Sequence, residues 1–267
     1  MLKSAMFLMT IIIIIKNIVY VNEFIESFKQ KMPHPYLVPY FYGGGSNLEA
    51  SWYSMNVAFF SSSNWKKFYS YFFIALFLSF LYSTRAAIVI LFVILFFRIF
   101  TSNSSSIEKF LFTNLSIFSI SIGLPYLLSK TNIIQRFSDI GHDPGSLGRF
   151  KLWGNAFNVF QSSNGLGLGA GNAIFGVESY INENLPEDNL HNIYLQFIVD
   201  FGLVGILLFL IFIFFIIFKA FKNNKINDPL FIFSCTYLIG GMIQFRGPDT
   251  LFWFIVSIFI STKTYDK

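Results

Sequence analysis

Eight long apolar runs recur along this chain, at about 4–21, 47–64, 68–84, 86–100, 110–128, 193–218, 229–245 and 249–262. One water-excluding core in a chain of 267 residues cannot bury so many apolar stripes. A bilayer accepts them from all sides. Charge agrees with this reading: 12% of residues are charged, against about 25% in soluble domains. The expected fold is therefore an all-α membrane protein, a single polytopic domain over 1–267 with about eight transmembrane helices. The 37 Phe suit lipid-facing positions and say little about chemistry. The net charge of +5 does not indicate nucleic-acid binding, because the lysines sit in short connectors between apolar runs. The single cysteine, Cys235, lies inside an apolar run and reads as a small membrane-buried residue.

The N-terminal stretch, Lys3 followed by an apolar run through Ile11–Ile15, imitates a signal peptide. No small-x-small cleavage site follows, so it is expected to remain as the first span. Residues 68–100 form one apolar stretch interrupted only at Ser83-Thr84-Arg85. As a single helix it would be about 50 Å long; as a tight hairpin it gives two short spans with Arg85 at the turn. The positive-inside rule favours the hairpin. With a cytoplasmic N-terminus, Lys3, Lys66, Lys67, Arg98, Lys109, Lys219, Lys222, Lys225, Lys263 and Lys267 then share one face. Both termini are expected in the cytoplasm, with residues 129–192 forming one large outer loop between the fifth and sixth spans.

This topology sorts the cations by type. Most lysines fall inside, whereas Arg85, Arg136, Arg149 and Arg246 fall at the outer face. Arginine grips phosphate through a bidentate fork that lysine lacks. Taken singly, each arginine also reads as an ordinary loop charge or a snorkelling side chain. The outer loop carries most of the polar chemistry, including Asp139, His142, Asp143, Lys151, Trp153, Glu178, Glu183, Glu187, Asp188 and His191. Loops of this length usually carry function. Within it Gly165, Gly167, Gly169 and Gly171 alternate with other residues up to Asn172. No Lys-Ser/Thr follows, which argues against a Walker loop. The glycines either bare backbone N–H groups toward an anion or form a plain flexible turn.

His191 and Asn192 stand at the outer mouth of the sixth span, followed by Asp200, Gly202 and Gly205. A neutral histidine there is able to take a proton from a sugar hydroxyl near neutral pH, although a helix-end histidine alone is more often structural. The two glycines, three apart, are expected to admit a second helix closely. His34, His142 and His191 are far apart in sequence and lack accompanying metal-ligand motifs, so no metal or other cofactor is expected.

The run His191-Asn192-x-Tyr194-Leu195 followed by Asp200-x-Gly202-x-x-Gly205 resembles the signature of the bacterial O-antigen ligase and O-antigen polymerase superfamily. Gly45-Ser46-Asn47, Ser83-Thr84-Arg85-Ala86, and Arg149-x-x-x-Trp153 before Gly167-x-Gly169-x-Gly171-Asn172 resemble further family segments in order. Asp200 stands where the family more often has Glu. Family members usually have ten or more spans, so this chain is expected to lack N-terminal helices of the family. The resemblance implies a metal-independent glycosyltransferase of the bacterial inner membrane, with its active site facing the periplasm. Its donor would be an oligosaccharide on polyprenyl pyrophosphate and its acceptor a glycan hydroxyl or lipid A core, with a chain-length regulator or flippase as partner. Under that reading Arg85 and Arg149 bind pyrophosphate, with Arg136 and Arg246 as second choices. His191 is the acceptor base, and Asn192 and Asp188 support it. A polymerase joining lipid-linked repeat units is preferred to a ligase. A transporter or flippase of the same lipid is the alternative of a different class, and a non-catalytic scaffold is a third. The absence of an internal repeat and the gathering of polar residues in one loop speak against transport.

Overall fold

The computed structural model describes residues 2–30, 32, 35, 37–41, 45–101, 106, 109–110, 113–114, 117, 121, 144–185, 188–242 and 250–262. Among the described residues all regular structure is helical. The elements are α1 (Leu2–Val19), α2 (Val21–Lys29), α3 (Gly45–Asn56) continuing into a 3-10 turn (Val57–Phe60), α4 (Trp65–Leu81), α5 (Arg85–Thr101), α6 (Pro144–Ser162), α7 (Ala173–Ile181), α8 (Ile193–Lys222), α9 (Pro229–Gly240) and α10 (Thr250–Ser261). The expected fifth span, 110–128, falls largely outside the described residues, as do Arg136, His142 and Arg246.

Among the described residues α1 and α8, of 18 and 30 residues, are long and apolar enough to cross a membrane. Both turn large apolar side chains outward. Phe7, Leu8, Ile15 and Ile18 of α1 and Val204, Leu208, Ile211, Phe214 and Phe218 of α8 are exposed, as befits a membrane protein. Helices α4 and α5 have 17 residues each, or about 25 Å at 1.5 Å per residue.

The chain divides into two compact units. The first holds residues 1–138 and 227–236. At its centre α3 buries nearly every side chain, including Glu49, Ser51, Ser54 and Asn56. This accounts for its weak hydropathy: a helix enclosed by protein can satisfy polar side chains that lipid could not. Phe59 and Trp52 stack on Phe233 at 5.3 and 6.3 Å between ring centroids. The apolar stretch 68–100 is broken at a corner of three buried residues. Tyr82 N–H donates to Leu78 O, Ser83 lies in the left-handed region at φ 54°, and Thr84 N–H reaches back to Ser79 O at 2.9 Å. This pattern closes one helix and releases the chain into the next.

The second unit holds residues 139–226 and 237–267. The stretch expected to be a long outer polar loop is helical over α6 and α7. Leu152, Ala156 and Val159 of α6 pack against Ala173, Ile174 and Val177 of α7, with Leu190 and Val199 completing the cluster. The apolar spacing of three and four along α6 is the amphipathic signal of that helix. Asn182, left-handed at φ 55°, ends α7.

Candidate functional site

The second unit brings together most of the residues singled out in the sequence, and it does so through α8. Asn192 is the N-cap of this helix: its Oδ1 accepts from the N–H groups of Tyr194 and Leu195 at 3.0 and 3.1 Å. Such a cap defines where the helix starts. It leaves His191 immediately outside, half-buried, at φ 51°. A β-carbon residue in this region is uncommon and is held there by its surroundings. Here the restraints lie on both sides. Asn189 Oδ1 accepts from His191 N–H at 2.8 Å, and Asn189 Nδ2 in turn donates to Asp188 Oδ1 at 2.6 Å. The peptide of Leu190 is clamped twice: its N–H donates to Gln196 Oε1 at 3.2 Å, and its carbonyl accepts from the indole Nε1 of Trp153 at 2.8 Å. The imidazole Nδ1 of His191 is shielded from solvent.

Trp153 sits one turn after Arg149 on α6, and residues four apart share a helix face. Arg149 is half-buried at the start of the stripe that continues through Leu152, Trp153 and Ala156. Thus the face of α6 that bears the arginine is the face bonded to the residue preceding His191.

Asp200 lies deeper, 5% exposed. Its Oδ1 accepts from Ala173 N–H at 2.8 Å, at the start of α7, and its Oδ2 accepts from Gln196 Nε2 at 3.0 Å. A carboxylate at a helix N-terminus also meets the positive end of the helix dipole. Asp200 therefore joins α7 to Gln196, and Gln196 to the Leu190 peptide. Asn189, Gln196 and the bracing role of Asp200 were missed in the sequence. The spacing of Gln196 and Asp200, four apart on one helix, was the available signal.

The glycine series does something other than either expected use. Leu168 N–H donates to Val199 O at 2.9 Å and Gly169 N–H to Asp200 O at 2.8 Å; in return Leu203 N–H donates to Gly165 O at 2.9 Å. The segment is a strap laid across α8 where that helix breaks, at Gly202 with φ 69° and ψ −162°. A β-carbon on Gly167 would lie 2.4 Å from Gly202 N, and one on Gly202 would lie 2.3 Å from Gly165 O. One on Gly205 would fall 2.1 Å from Cβ of Phe201. So among the described residues the glycine pair 202/205 accommodates the strap and the folded-over Phe201 rather than a neighbouring helix. Below the break, Phe197, Phe201, Val204, Gly205, Leu208, Phe209, Phe212 and Trp253 line an apolar groove of about 530 Å³.

The start of α8 is also bonded to Leu238 and Gly241 of the same unit. Ile193 N–H donates to Gly241 O at 2.8 Å and the Tyr194 hydroxyl to Leu238 O at 3.2 Å.

A family model described as O-antigen ligase matches residues 70–210, more than half of the chain. The chain belongs to the O-antigen ligase family. Members of this family are membrane-associated, glycosyltransferase-like enzymes, and the family implies a lipid-linked glycan substrate and an acceptor. No curated protein and no solved structure matches the chain significantly. The region matched to the O-antigen ligase family runs from α4 through the Arg85 corner, α6, the glycine strap and the His191 turn into α8. Arg85 is the first residue of α5 and belongs to the first unit, where it is half-buried. Asp188 is exposed at the start of the His191 turn. Among the described residues no three His, Cys, Asp or Glu side chains gather as metal ligands would.

Proposed function

We propose that this O-antigen ligase family member is a glycosyltransferase of the polymerase type, joining oligosaccharide repeat units carried on polyprenyl pyrophosphate. The observation that carries this reading is the Trp153–Leu190 hydrogen bond, which ties the arginine face of α6 to the backbone holding His191. The reaction needs a cation where pyrophosphate leaves and a base where a hydroxyl attacks. In the proposed step the acceptor oxygen forms a bond to the anomeric carbon of the donor glycan. The bond from that carbon to the pyrophosphate oxygen breaks with its electron pair, and the acceptor proton passes to the His191 imidazole. Arg149 steadies the departing pyrophosphate through its fork. Arg85 serves as a phosphate-binding arginine of the first unit, with Arg136 and Arg246 as second choices. Asn192 and Asp188 support His191, the first by setting the helix start and the second through Asn189. No metal takes part in this scheme.

The proposed membrane arrangement has eight spans, both termini in the cytoplasm, and the segment 129–192 on the periplasmic side of the inner membrane. The exposed apolar faces of α1 and α8 support a polytopic arrangement, and the lysine distribution supports its orientation.

Reconstitution tests the activity. Purified protein in nanodiscs, given a synthetic polyprenyl-pyrophosphate repeat unit, should build longer chains on that lipid. Transfer only when lipid A core is supplied would make the chain a ligase instead. Transfer to neither would remove the glycosyltransferase reading.

A further inference from the structure

The first unit contains a buried ionic cluster that the proposed chemistry does not use. Lys16 of α1 and Glu49 of α3 form an ion pair at 2.5 Å, with side-chain exposures of 7% and 0%. The Tyr82 hydroxyl completes it: it accepts from Lys16 Nζ at 3.0 Å and lies 2.7 Å from Glu49 Oε1 and 2.8 Å from Asn17 Oδ1. The second carboxylate oxygen of Glu49 accepts from Phe41 N–H at 2.8 Å. The rings of Tyr40, Phe41 and Tyr82 surround the ammonium at 4.9, 5.3 and 5.2 Å from their centroids. Three stretches distant in sequence, around Lys16, residues 40–49 and Tyr82, therefore meet at one charge pair.

Burying two charges is costly even when they are paired, and well-packed apolar side chains often serve stability as well. What an ion pair supplies that a methyl group does not is direction. Here the direction is given to Tyr82. This residue begins the three-residue connection between α4 and α5, and all three residues, Tyr82, Ser83 and Thr84, are buried. The next residue is Arg85. With Ser83 held in the left-handed region and Thr84 bonded back to Ser79, the corner has little freedom of its own. The Tyr82 hydroxyl tethers that corner to α1 and α3, and the corner sets where α5 begins.

We infer that Lys16, Glu49 and Tyr82 are positioning residues that fix the Arg85 corner for the anionic diphosphate of a lipid-linked donor, an inference that rests on the phosphate-binding reading of Arg85. Removing either charge alone strands the other in the interior and risks unfolding. The informative variants are therefore Tyr82→Phe, which keeps the ring and the ion pair, and the double change Lys16→Met with Glu49→Gln, which removes both charges together.

The test uses the full chain in nanodiscs with two reagents varied separately: a donor polyprenyl-pyrophosphate oligosaccharide whose acceptor hydroxyl is blocked, and an acceptor carrying the same oligosaccharide on a lipid ether that cannot leave. Tyr82→Phe should raise the donor KM about tenfold while the acceptor KM and the monodisperse fraction stay at wild-type values. The double change should do the same. A residue that served folding alone would lower the amount of active protein and leave the donor KM of the remainder unchanged. In an Arg85→Ala background, Tyr82→Phe should add nothing, because what it positions is gone. A wild-type donor KM in Tyr82→Phe, or losses that multiply with Arg85→Ala, overturns the inference while leaving Arg85 in its role. An unchanged donor KM in Arg85→Ala itself removes the phosphate-binding reading of Arg85, and the inference falls with it.

Discussion

Gly167 and Gly202 meet so closely that a β-carbon on the first would lie 2.4 Å from the backbone nitrogen of the second. The obstacle is backbone on both sides, so no side-chain rotation relieves it. Both residues also have positive φ, at 81° and 69°. Gly167→Ala and Gly202→Ala should each destabilise the second unit by more than about 2 kcal/mol. Gly154, inside α6 with nothing within 4 Å of an added β-carbon, is the control. Gly154→Ala should gain about 0.5–1 kcal/mol from the lower entropy of the unfolded chain. Thermal inactivation in detergent orders the three variants; equal midpoints would sink the strap as a structural element.

Asp200 should tolerate an amide far better than a hydrocarbon. In Asp200→Asn the side-chain oxygen still accepts from Ala173 N–H, although only one acceptor remains for the two donors. Asp200→Leu leaves the buried Ala173 amide without its acceptor, at about 1–3 kcal/mol, and also frees the half-buried Gln196 side chain. The expected order of thermal stability is wild type, Asp200→Asn, then Asp200→Leu by a wide margin.

Arg149 is predicted to act through its fork. Lysine keeps the charge but presents it as a point. Arg149→Lys should therefore impair polysaccharide assembly nearly as much as Arg149→Ala, with protein levels unchanged. Full activity in the lysine variant would leave a charge role only.

His191 is predicted to take the acceptor proton. General-base assistance is typically worth about 10²–10⁴-fold in rate. His191→Ala should lose turnover on that scale while donor binding persists. His191→Gln separates proton transfer from hydrogen bonding, because glutamine cannot act as a base near neutral pH. Since the residue also occupies a left-handed position, His191→Asn is a useful companion: asparagine tolerates that backbone well. Turnover near wild type in His191→Gln would assign the residue to positioning.

The proposed orientation predicts the behaviour of reporter fusions. A reporter active only in the periplasm should be active when joined near Ser163 and silent near Asn223. Activity near Asn223 would reverse the assigned face of the second unit.

The apolar runs made several helices legible to within a few residues. The expected span 193–218 lies within α8, and 68–84 and 86–100 match α4 and α5. There the Ser-Thr-Arg interruption marked the corner. The start of α8 was legible from where its apolar run begins, at Ile193; the Asn192 cap that fixes it is a finding of the structure. Less was visible where polarity was high. Helix α6 read as loop because its buried stripe alternates with exposed Lys151, Asn158 and Gln161, and α7, although apolar, has only nine residues, too few to read as a span. The glycine series was read by its composition. Its partners, Val199 to Leu203, lie on another element, and no local rule connects them. Lys16 and Glu49 likewise sit in separate apolar runs, and nothing within either run names the other.

The break in α8 has a consequence for how the chain is made. An interrupted helix bares carbonyls and amides that hydrocarbon cannot satisfy. Here the amides of Leu168 and Gly169 and the carbonyl of Gly165 answer them, and all three are synthesised before Val199 emerges from the ribosome. The counterparts of Val199 O, Asp200 O and Leu203 N–H therefore already exist before α8 is complete. If the strap is shortened or stiffened, the first failure should come at membrane integration, with α8 partitioning poorly, before any folded enzyme exists to be assayed.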